Sequence, residues 1–406
     1  MIPMIKKSSK LEHVGYDIRG PVLDLANEMA AEGIEILKLN TGNPAPFGFD
    51  APDSMIHQLI HDIRPSQGYS ESKGILPARQ AIADYCTKKG MVDVTPNDIY
   101  TGNGVSELIL LCMQAFVEPG DEILVPAPDY PLWTAAITLC GGKAVYYVCD
   151  EQSEWNPDPV DIAAKVTPRT RAIVVINPNN PTGTLYSKDI LLQIADIARK
   201  HNLVLFSDEI YDRLVMDGHI HHSIAALAPD VFTVTFNGLS KSHLIAGFRA
   251  GWISLSGDRA KAKDYLQGIN MLASMRLCSN VLAQSVIPVA LADEETPASL
   301  VRPGGRIYEQ REFIWNAVNN IPGLSVVKPK AAFYLFPKID AKRFNITSDE
   351  QFAVDFLREK HVLLTHGSGF HWPEPNHFRI VYLPEMNVLE QLAKRLTDFL
   401  TTYRQT

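Results

Sequence analysis

The sequence is poor in cysteine. The five it has, Cys86, Cys112, Cys140, Cys149 and Cys278, follow neither a Cys-x-x-Cys nor a zinc-type spacing. This odd, scattered set argues against a disulfide framework or a structural zinc, and free buried thiols are expected. Histidine occurs as the pair His221-His222 and as singles such as His61, with no His-Glu-x-x-His or comparable ligand run. A metal enzyme is therefore not expected. There is no long run of Lys and Arg: 38 basic residues stand against 46 acidic ones, a net charge of −8, which makes nucleic acid a poor partner. Nor is there a stretch of about 18 apolar residues to cross a membrane. The segment Met1 to His13 is too polar for a secretory signal. A soluble, cytoplasmic protein without a membrane partner is the expectation. Internal repeats and low-complexity tracts are absent, so neither a solenoid nor a disordered tail is indicated.

What is present is a globular composition of 406 residues, 46% hydrophobic and 21% charged, enough for a sizeable core. At about 150 residues per domain, this length corresponds to two or three domains. After Pro21 the residues Val22, Leu25, Ala26, Met29 and Ala30 keep helical spacing and Gly33 supplies a stop, which predicts a first helix. Ile34 to Leu39 reads as a strand. Pro44, Pro46, Gly48 and Pro52 make 43–52 an extended linker and a natural domain junction. Beyond it come a helix around Leu108 to Phe116, a strand at Ile123 to Val125 and the unbroken apolar run Ala172 to Ile176. A helix with Ile190, Leu191, Ile194, Ile197 and Ala198 on one face follows, then the strand Leu203 to Phe206. Continuous apolar strands separated by amphipathic helices indicate a mainly parallel sheet covered on both faces. From about Arg302 the texture changes. Helices near Tyr308 to Asn319, Gln351 to Lys360 and Val388 to Leu400 surround alternating segments at Phe333 to Phe336 and Phe378 to Tyr382, as in a smaller α+β domain.

In an open parallel sheet, ligands bind beyond the carboxyl ends of the strands, and four places there stand out. Thr101-Gly-Asn-Gly-Val-Ser-Glu leads into a helix. Its small residues expose backbone N–H groups that suit a phosphate, although a plain helix N-terminus has the same look. Gly102 and Gly104 also resemble an incomplete dinucleotide fingerprint, with Glu107 in place of a third glycine. Asn177-Pro-Asn-Asn-Pro-Thr-Gly is either a simple turn or a ligand edge presenting the amides of Asn179 and Asn180. Asp208 leaves a buried strand and asks for a positive partner, unless it caps the next helix. Lys241 stands among small residues at the end of the apolar strand Val231 to Phe236, with Arg249 in a Gly-rich turn beyond. A lone lysine is usually a solvated surface charge. Taken together, the four places suit one electrophilic cofactor. Helix N–H groups and Arg249 would take a phosphate, Asp208 a ring nitrogen and Lys241 an aldehyde, which describes pyridoxal 5′-phosphate.

The motifs Asn177-Pro-Asn-Asn-Pro-Thr-Gly, Ser207-Asp-Glu-Ile-Tyr and Ser240-Lys-Ser with Gly247-x-Arg249, in this order, resemble the fold-type I, class I/II aminotransferases. The resemblance runs from Lys38-Leu-Asn-Thr-Gly-Asn-Pro to Phe378-Arg-Ile-Val. The segments Lys10 to Pro21, Gly48 to Pro52 and Pro126 to Trp133 look most like the bacterial branch of that family that exchanges amino groups between alanine and glutamate. The resemblance implies a large domain with a mainly parallel mixed sheet sandwiched by helices over 51–300. It implies a small C-terminal domain over 301–406, joined by part of an N-terminal segment over 1–50.

By the same resemblance, Lys241 forms the Schiff base with the cofactor and moves the substrate proton. Asp208 pairs with the pyridine nitrogen, and a nearby anion does favour the protonated ring. Tyr211 and Asn180 meet the phenolic oxygen, and Tyr130 stacks on the ring face. Gly104, Val105 and Ser106 cradle the phosphate, with Arg249 as its clamp and Ser240 as a further donor. Gly238 stands where many relatives place a phosphate-binding serine, which leaves one donor in doubt. Tyr69 corresponds to a tyrosine that reaches the neighbouring subunit's phosphate, so a homodimer with shared sites is implied. Arg379 grips the substrate α-carboxylate, and Gly42 lets the backbone approach the substrate. Tyr16 and Arg19 are the candidates for a distal carboxylate, with domain packing as the alternative for Arg19. Competing activities on the same fold are an aromatic or other 2-oxo-acid transaminase and a carbon–sulfur β-lyase. A nicotinamide dehydrogenase built on Gly102-x-Gly104 is a different class, and it lacks the acidic ribose ligand it would need.

Overall fold

The computed structural model describes residues 5–12, 14–15 and 20–406. After the short strand β1 (Leu37–Lys38), the described residues build an eight-stranded sheet. Its strands are β2 (Ile99–Asn103), β3 (Glu122–Ala127), β4 (Lys143–Asp150), β5 (Asn156–Pro157), β6 (Thr170–Ile176), β7 (Val204–Asp208), β8 (Thr233–Gly238) and β9 (Ala250–Ser256). Their order is β2-β9-β8-β7-β6-β3-β4-β5. The neighbours from β4 to β8 pair in parallel, while β9 runs antiparallel between β8 and β2.

Alternate residues of the central strands feed two separate cores, because successive side chains of a strand point to opposite faces. Val125, Val174, Ile176, Phe206 and Phe236 pack against helices Val105–Phe116, Leu132–Leu139 and Lys263–Met275. Leu124, Ile173, Val175 and Leu205 face helix Lys188–His201. That helix shows why the pattern was readable. Ser187 caps it, Asn202 at φ 53° ends it, and Leu191, Ile194, Ala195 and Ala198 form its buried stripe. Each such leucine or isoleucine buried is worth about 1.5–3 kcal/mol. Both faces of the sheet are therefore covered, and the fold is α/β as expected.

The last third of the chain adds short strands: β10 (Leu324–Ser325), β11 (Tyr334–Leu335), β12 (Lys338–Ile339), β13 (Val362–Leu363), β14 (Thr365–His366) and β15 (Phe378–Val381). They pair as β10-β12 and β11-β15-β14, and β13 pairs in parallel with β1. The expected helices lie at Arg306–Asn319, Asp349–Lys360 and Met386–Thr402, and Leu389, Leu392, Leu396 and Phe399 share a core with Phe352 and Phe356.

Three local readings change. The strand expected over Ile34 to Leu39 shrinks to the two residues of β1, because its partner β13 is equally short. The linker after Asn43 includes a 3-10 turn at Ala45–Phe47. The segment from Phe378 does not alternate: β15 is buried throughout and central in its sheet, so its arginine is no surface residue. Cys86, Cys112 and Cys149 are buried free thiols, while Cys140 and Cys278 are half-buried.

Candidate active site

The carboxyl ends of β6, β7 and β8 lie side by side, with Ile176 paired to Asp208 and Asp208 to Phe236. Beyond them opens a cavity of about 520 Å³, of the size that holds a small organic cofactor. Gly42, Val105, Ser106, Tyr130, Asn180, Asp208, Tyr211, Ser240, Lys241, Arg249 and Arg379 all line it. Residues far apart in the chain are thus gathered into one place. Tyr69 does not line the cavity and is strongly exposed. Tyr16 and Arg19 lie outside the described residues.

Lys241 follows β8 in the helical turn Leu239–Ser242 and is only half-buried. Its Nζ donates to the carbonyl of Gly42 at 2.7 Å and lies 5.8 Å from the centre of the Phe333 ring. Gly42 is needed at this point, since a Cβ there would stand 2.2 Å from the Tyr334 hydroxyl and 2.8 Å from Phe333.

Asp208 ends β7 and is 3% exposed. Trp133 Nε1 donates to Oδ2 and the Ile210 N–H to Oδ1, both at 3.3 Å. These two long contacts are modest compensation for a buried carboxylate. Burial pushes its carboxyl up to about 6, with the charge of Lys241 and both hydrogen bonds opposing. No helix follows Asp208, because residues 210–213 form turns, so it is not a helix cap. A cationic ring nitrogen placed in the cavity would supply the missing counter-charge.

The opposite wall is the N-terminus of helix Val105–Phe116, capped by Gly104 at φ 80°. Arg249 sits in the left-handed region at φ 62°, which costs about 1 kcal/mol for a residue with a side chain. Its guanidinium donates to the carbonyls of Ala246 at 2.8 Å and Asn103 at 3.2 Å. A Cβ on Gly104 would come within 2.2 Å of that guanidinium. Free helix N–H groups beside a fixed cation make an anion site. Glu107, where a dinucleotide fingerprint would have glycine, turns back to accept from the Asn103 N–H at 2.8 Å. β2 is also an outer strand of its sheet, away from the crevice where a dinucleotide fold binds.

Gly238 is explained by packing. It pairs with Gly251 across β8 and β9, and a Cβ on it would stand 2.7 Å from the Ala250 carbonyl oxygen. The backbone leaves no room there for a serine side chain.

Arg379 comes from β15. It donates to Asn180 Oδ1 at 2.8 Å and to the Asn40 carbonyl, and its guanidinium lies 4.6 Å from the Tyr334 ring centre and 4.7 Å from that of Phe370. The two rings hold the guanidinium by cation–π contact. Tyr211 and Tyr334 share a hydrogen bond of 2.6 Å. Burial, and then the neighbouring Tyr334, raise the Tyr211 hydroxyl well above its ordinary value.

Sequence reasoning missed Trp133, Tyr334 and Asn40. Trp133 belonged to a quoted motif, but nothing local says that its indole reaches a strand end 75 residues on. It also missed a buried group of Glu209, Asp212 and His221, whose ligand atoms lie within 4.8 Å of one another.

Residues 34–396 match the profile of "Aminotransferase class I and II". The chain belongs to this family. It is 57% identical over 401 residues, covering 99% of both chains, to the glutamate-pyruvate aminotransferase of Escherichia coli (strain K12). It is 50% identical over 400 residues, 98% of this chain and 93% of the other, to the alanine aminotransferase of Mycobacterium bovis. Among solved structures, the alanine aminotransferase from Pyrococcus furiosus superposes with a TM-score of 0.92 at 38% identity, covering 98% of this chain and 100% of that one. The aminotransferase fold is therefore this chain's fold, and no helix of the described residues is long and apolar enough to cross a membrane.

Proposed function

We propose that the protein exchanges amino groups between L-alanine and 2-oxoglutarate, giving pyruvate and L-glutamate, with pyridoxal 5′-phosphate held in the cavity described above. The observation that carries this reading is the convergence of Lys241, Asp208, Arg249 and Arg379 on one cavity. The names of the relatives at 50–57% identity favour the alanine and glutamate pair. When bound, this cofactor supplies an aldehyde carbon that accepts the amino group and a ring that stores the electron pair left on the substrate carbon.

The chain's own residues do the rest. Val105 and Ser106 would offer N–H groups to the phosphate and Arg249 its charge, with the Ser240 hydroxyl as a further donor. Asp208 would keep the ring nitrogen protonated, Tyr130 would offer its ring to the face of the cofactor, and Asn180 and Tyr211 would meet its phenolic oxygen. Lys241 Nζ would anchor the cofactor, and as a free amine it would carry the proton that leaves and returns to the substrate carbon. Arg379 receives the α-carboxylate with two parallel hydrogen bonds. Tyr16 and Arg19 remain our candidates for the distal carboxylate of glutamate.

In this reading residues 51–300 form the cofactor-binding body, while 301–406 and part of 1–50 form the smaller one. The protein works in the cytoplasm as a homodimer. Ile60, Ile63, Tyr69, Met271 and Met275 are all exposed, and Arg276 donates to the Ser72 carbonyl at 3.2 Å to bring their two segments together. Such exposed apolar side chains suit contact with a second copy, to whose phosphate Tyr69 would reach.

The test is the visible absorption of the purified protein, first alone, then with L-alanine, then with 2-oxoglutarate. A cofactor band that alanine bleaches and the oxo acid restores is expected. A band that responds only to another amino acid would replace the substrate, and pyruvate with a thiol from cystathionine would replace the reaction. No band after added cofactor would remove Lys241 from its role.

A further inference from the structure

Behind the wall that carries Asn180 lies a second buried cluster. Glu209, Asp212 and His221 present the kind of donors that many divalent-metal sites use, with their ligand atoms within 4.8 Å of one another. The chain itself fills the place a cation would take. Lys89 follows helix Leu76–Lys88, and its Nζ lies 2.8 Å from His221 Nδ1 and 3.4 Å from Asp212 Oδ2. Tyr85, on that helix, donates to the same Asp212 oxygen. Glu209 Oε1 accepts from Ser207 at 2.9 Å and from Ser223 at 2.7 Å.

An ammonium group has donors only, so His221 Nδ1 must accept. A neutral imidazole then carries its single proton on Nε2, which lies 3.1 Å from the carbonyl of Asn177. A doubly protonated ring would set two cations side by side. Burial, and then the charge of Lys89, push His221 down to about 3.

Asn177 opens the turn that ends at Asn180. Its N–H donates to the Asp208 carbonyl at 2.9 Å, and its side-chain oxygen accepts from the Tyr186 N–H at 2.8 Å. With its carbonyl held by His221, the residue is fixed on three sides. Asn180, three positions on, then meets Arg379.

We propose that Lys89 is a tautomer lock. It fixes His221 with its proton on Nε2, His221 holds the Asn177 carbonyl, and the two are positioning residues for Asn180 and, through it, for Arg379. The kinetic half of this proposal rests on the aminotransferase reading, whereas the tautomer does not.

The experiment combines nitrogen-15 spectra of the histidine rings with kinetics of the holoenzyme. Wild-type His221, assigned by its loss in His221→Gln, should show the Nε2-protonated neutral ring at neutral pH. In Lys89→Met the ring should shift towards a mixture of tautomers. KM for both the amino acid and the oxo acid should rise about five- to ten-fold, the worth of one positioning hydrogen bond. The pH at which the cofactor band titrates should move as well. The terminal amide of His221→Gln reaches the Nε2 position and should keep KM near the wild-type value, while His221→Asn, too short, should behave as Lys89→Met does. A wild-type ring protonated on Nδ1 would overturn the proposal, and so would a folded Lys89→Met with unchanged KM and band. If Lys89→Met does not fold, the wild-type spectrum and the two histidine variants decide. The expected ring spectrum in a protein without transaminase activity would sink the functional reading and keep the lock.

Discussion

The amine of Lys241 donates to the carbonyl of Gly42 across 199 positions of sequence. This contact closes the cavity between the end of β8 and the segment that follows β1. It also places the backbone of the N-terminal third against the Lys241 amine. A Cβ at Gly42 would press on Tyr334 and Phe333, and both belong to the core of the last third of the chain. Gly42→Ala should therefore lower kcat/KM by at least about ten-fold, by displacing Lys241 and the rings that hold Arg379. Steady-state kinetics beside a thermal melt check this, and a well-folded variant with unchanged kcat/KM would refute it.

Asp208 ties activity to a cost in stability. Its folded carboxyl titrates at about 6, against about 3.9 unfolded. Between these values the folded state binds more protons than the unfolded chain. The group's contribution is thus complete below the unfolded value and is lost as pH rises through about 6. In the cofactor-free protein, Asp208→Asn should be more stable than wild type above neutral pH by about 1–3 kcal/mol, and inactive once loaded. Urea unfolding on either side of the transition measures the difference. Equal stability at high pH would mean that the carboxylate already has sufficient compensation without cofactor.

At Gly238 the expectation runs against simple family logic. Placing a serine there, as the resemblance suggests, should not tighten cofactor binding, because its Cβ would meet the Ala250 carbonyl at 2.7 Å. Overpacking of this kind costs about 1–3 kcal/mol. Gly238→Ser should melt earlier and hold the cofactor no better, as read by calorimetry and by titration of the apoprotein with pyridoxal phosphate. Tighter binding with an unchanged melting temperature would contradict the geometry.

For Arg379, charge alone is not enough. Lysine cannot lie flat between Tyr334 and Phe370 or offer a planar fork to a carboxylate. Arg379→Lys should raise KM for the amino acid and the oxo acid alike, by about ten-fold or more, while the cofactor band of the resting enzyme stays in place. Selective loss of one substrate would point instead to a role at the distal group.

How much of this was legible depended on whether partners were local. The apolar run of β6, and helix Lys188–His201 with its Ser187 cap, carry their own signals within a dozen residues. Asp208 and Lys241 stood out by their places at the ends of apolar strands, whereas Arg379 was singled out only through the family resemblance. The two-residue strands of the last third were hidden, since pairs such as β1 with β13 exist only through each other. The same holds for Trp133 beside Asp208, and for Lys89 beside His221, 132 positions apart. Each is an ordinary residue until the fold supplies its neighbour. The alternation expected around Arg379 failed because both faces of β15 are covered.

Gly104, Gly251 and Gly238 stand one against the next. A Cβ on Gly251 would lie 2.8 Å from the carbonyl carbon of Gly104, and one on Gly238 would lie 3.0 Å from the Gly251 Cα. The floor beside Arg249 is therefore built of main chain, with no side chain through which mutation can adjust it gradually. New substrates are open to this scaffold only through the walls of the cavity, where side chains exist to be exchanged. Enzymes on this scaffold can diversify through the side chains that line the cavity while the glycine floor beneath it stays fixed.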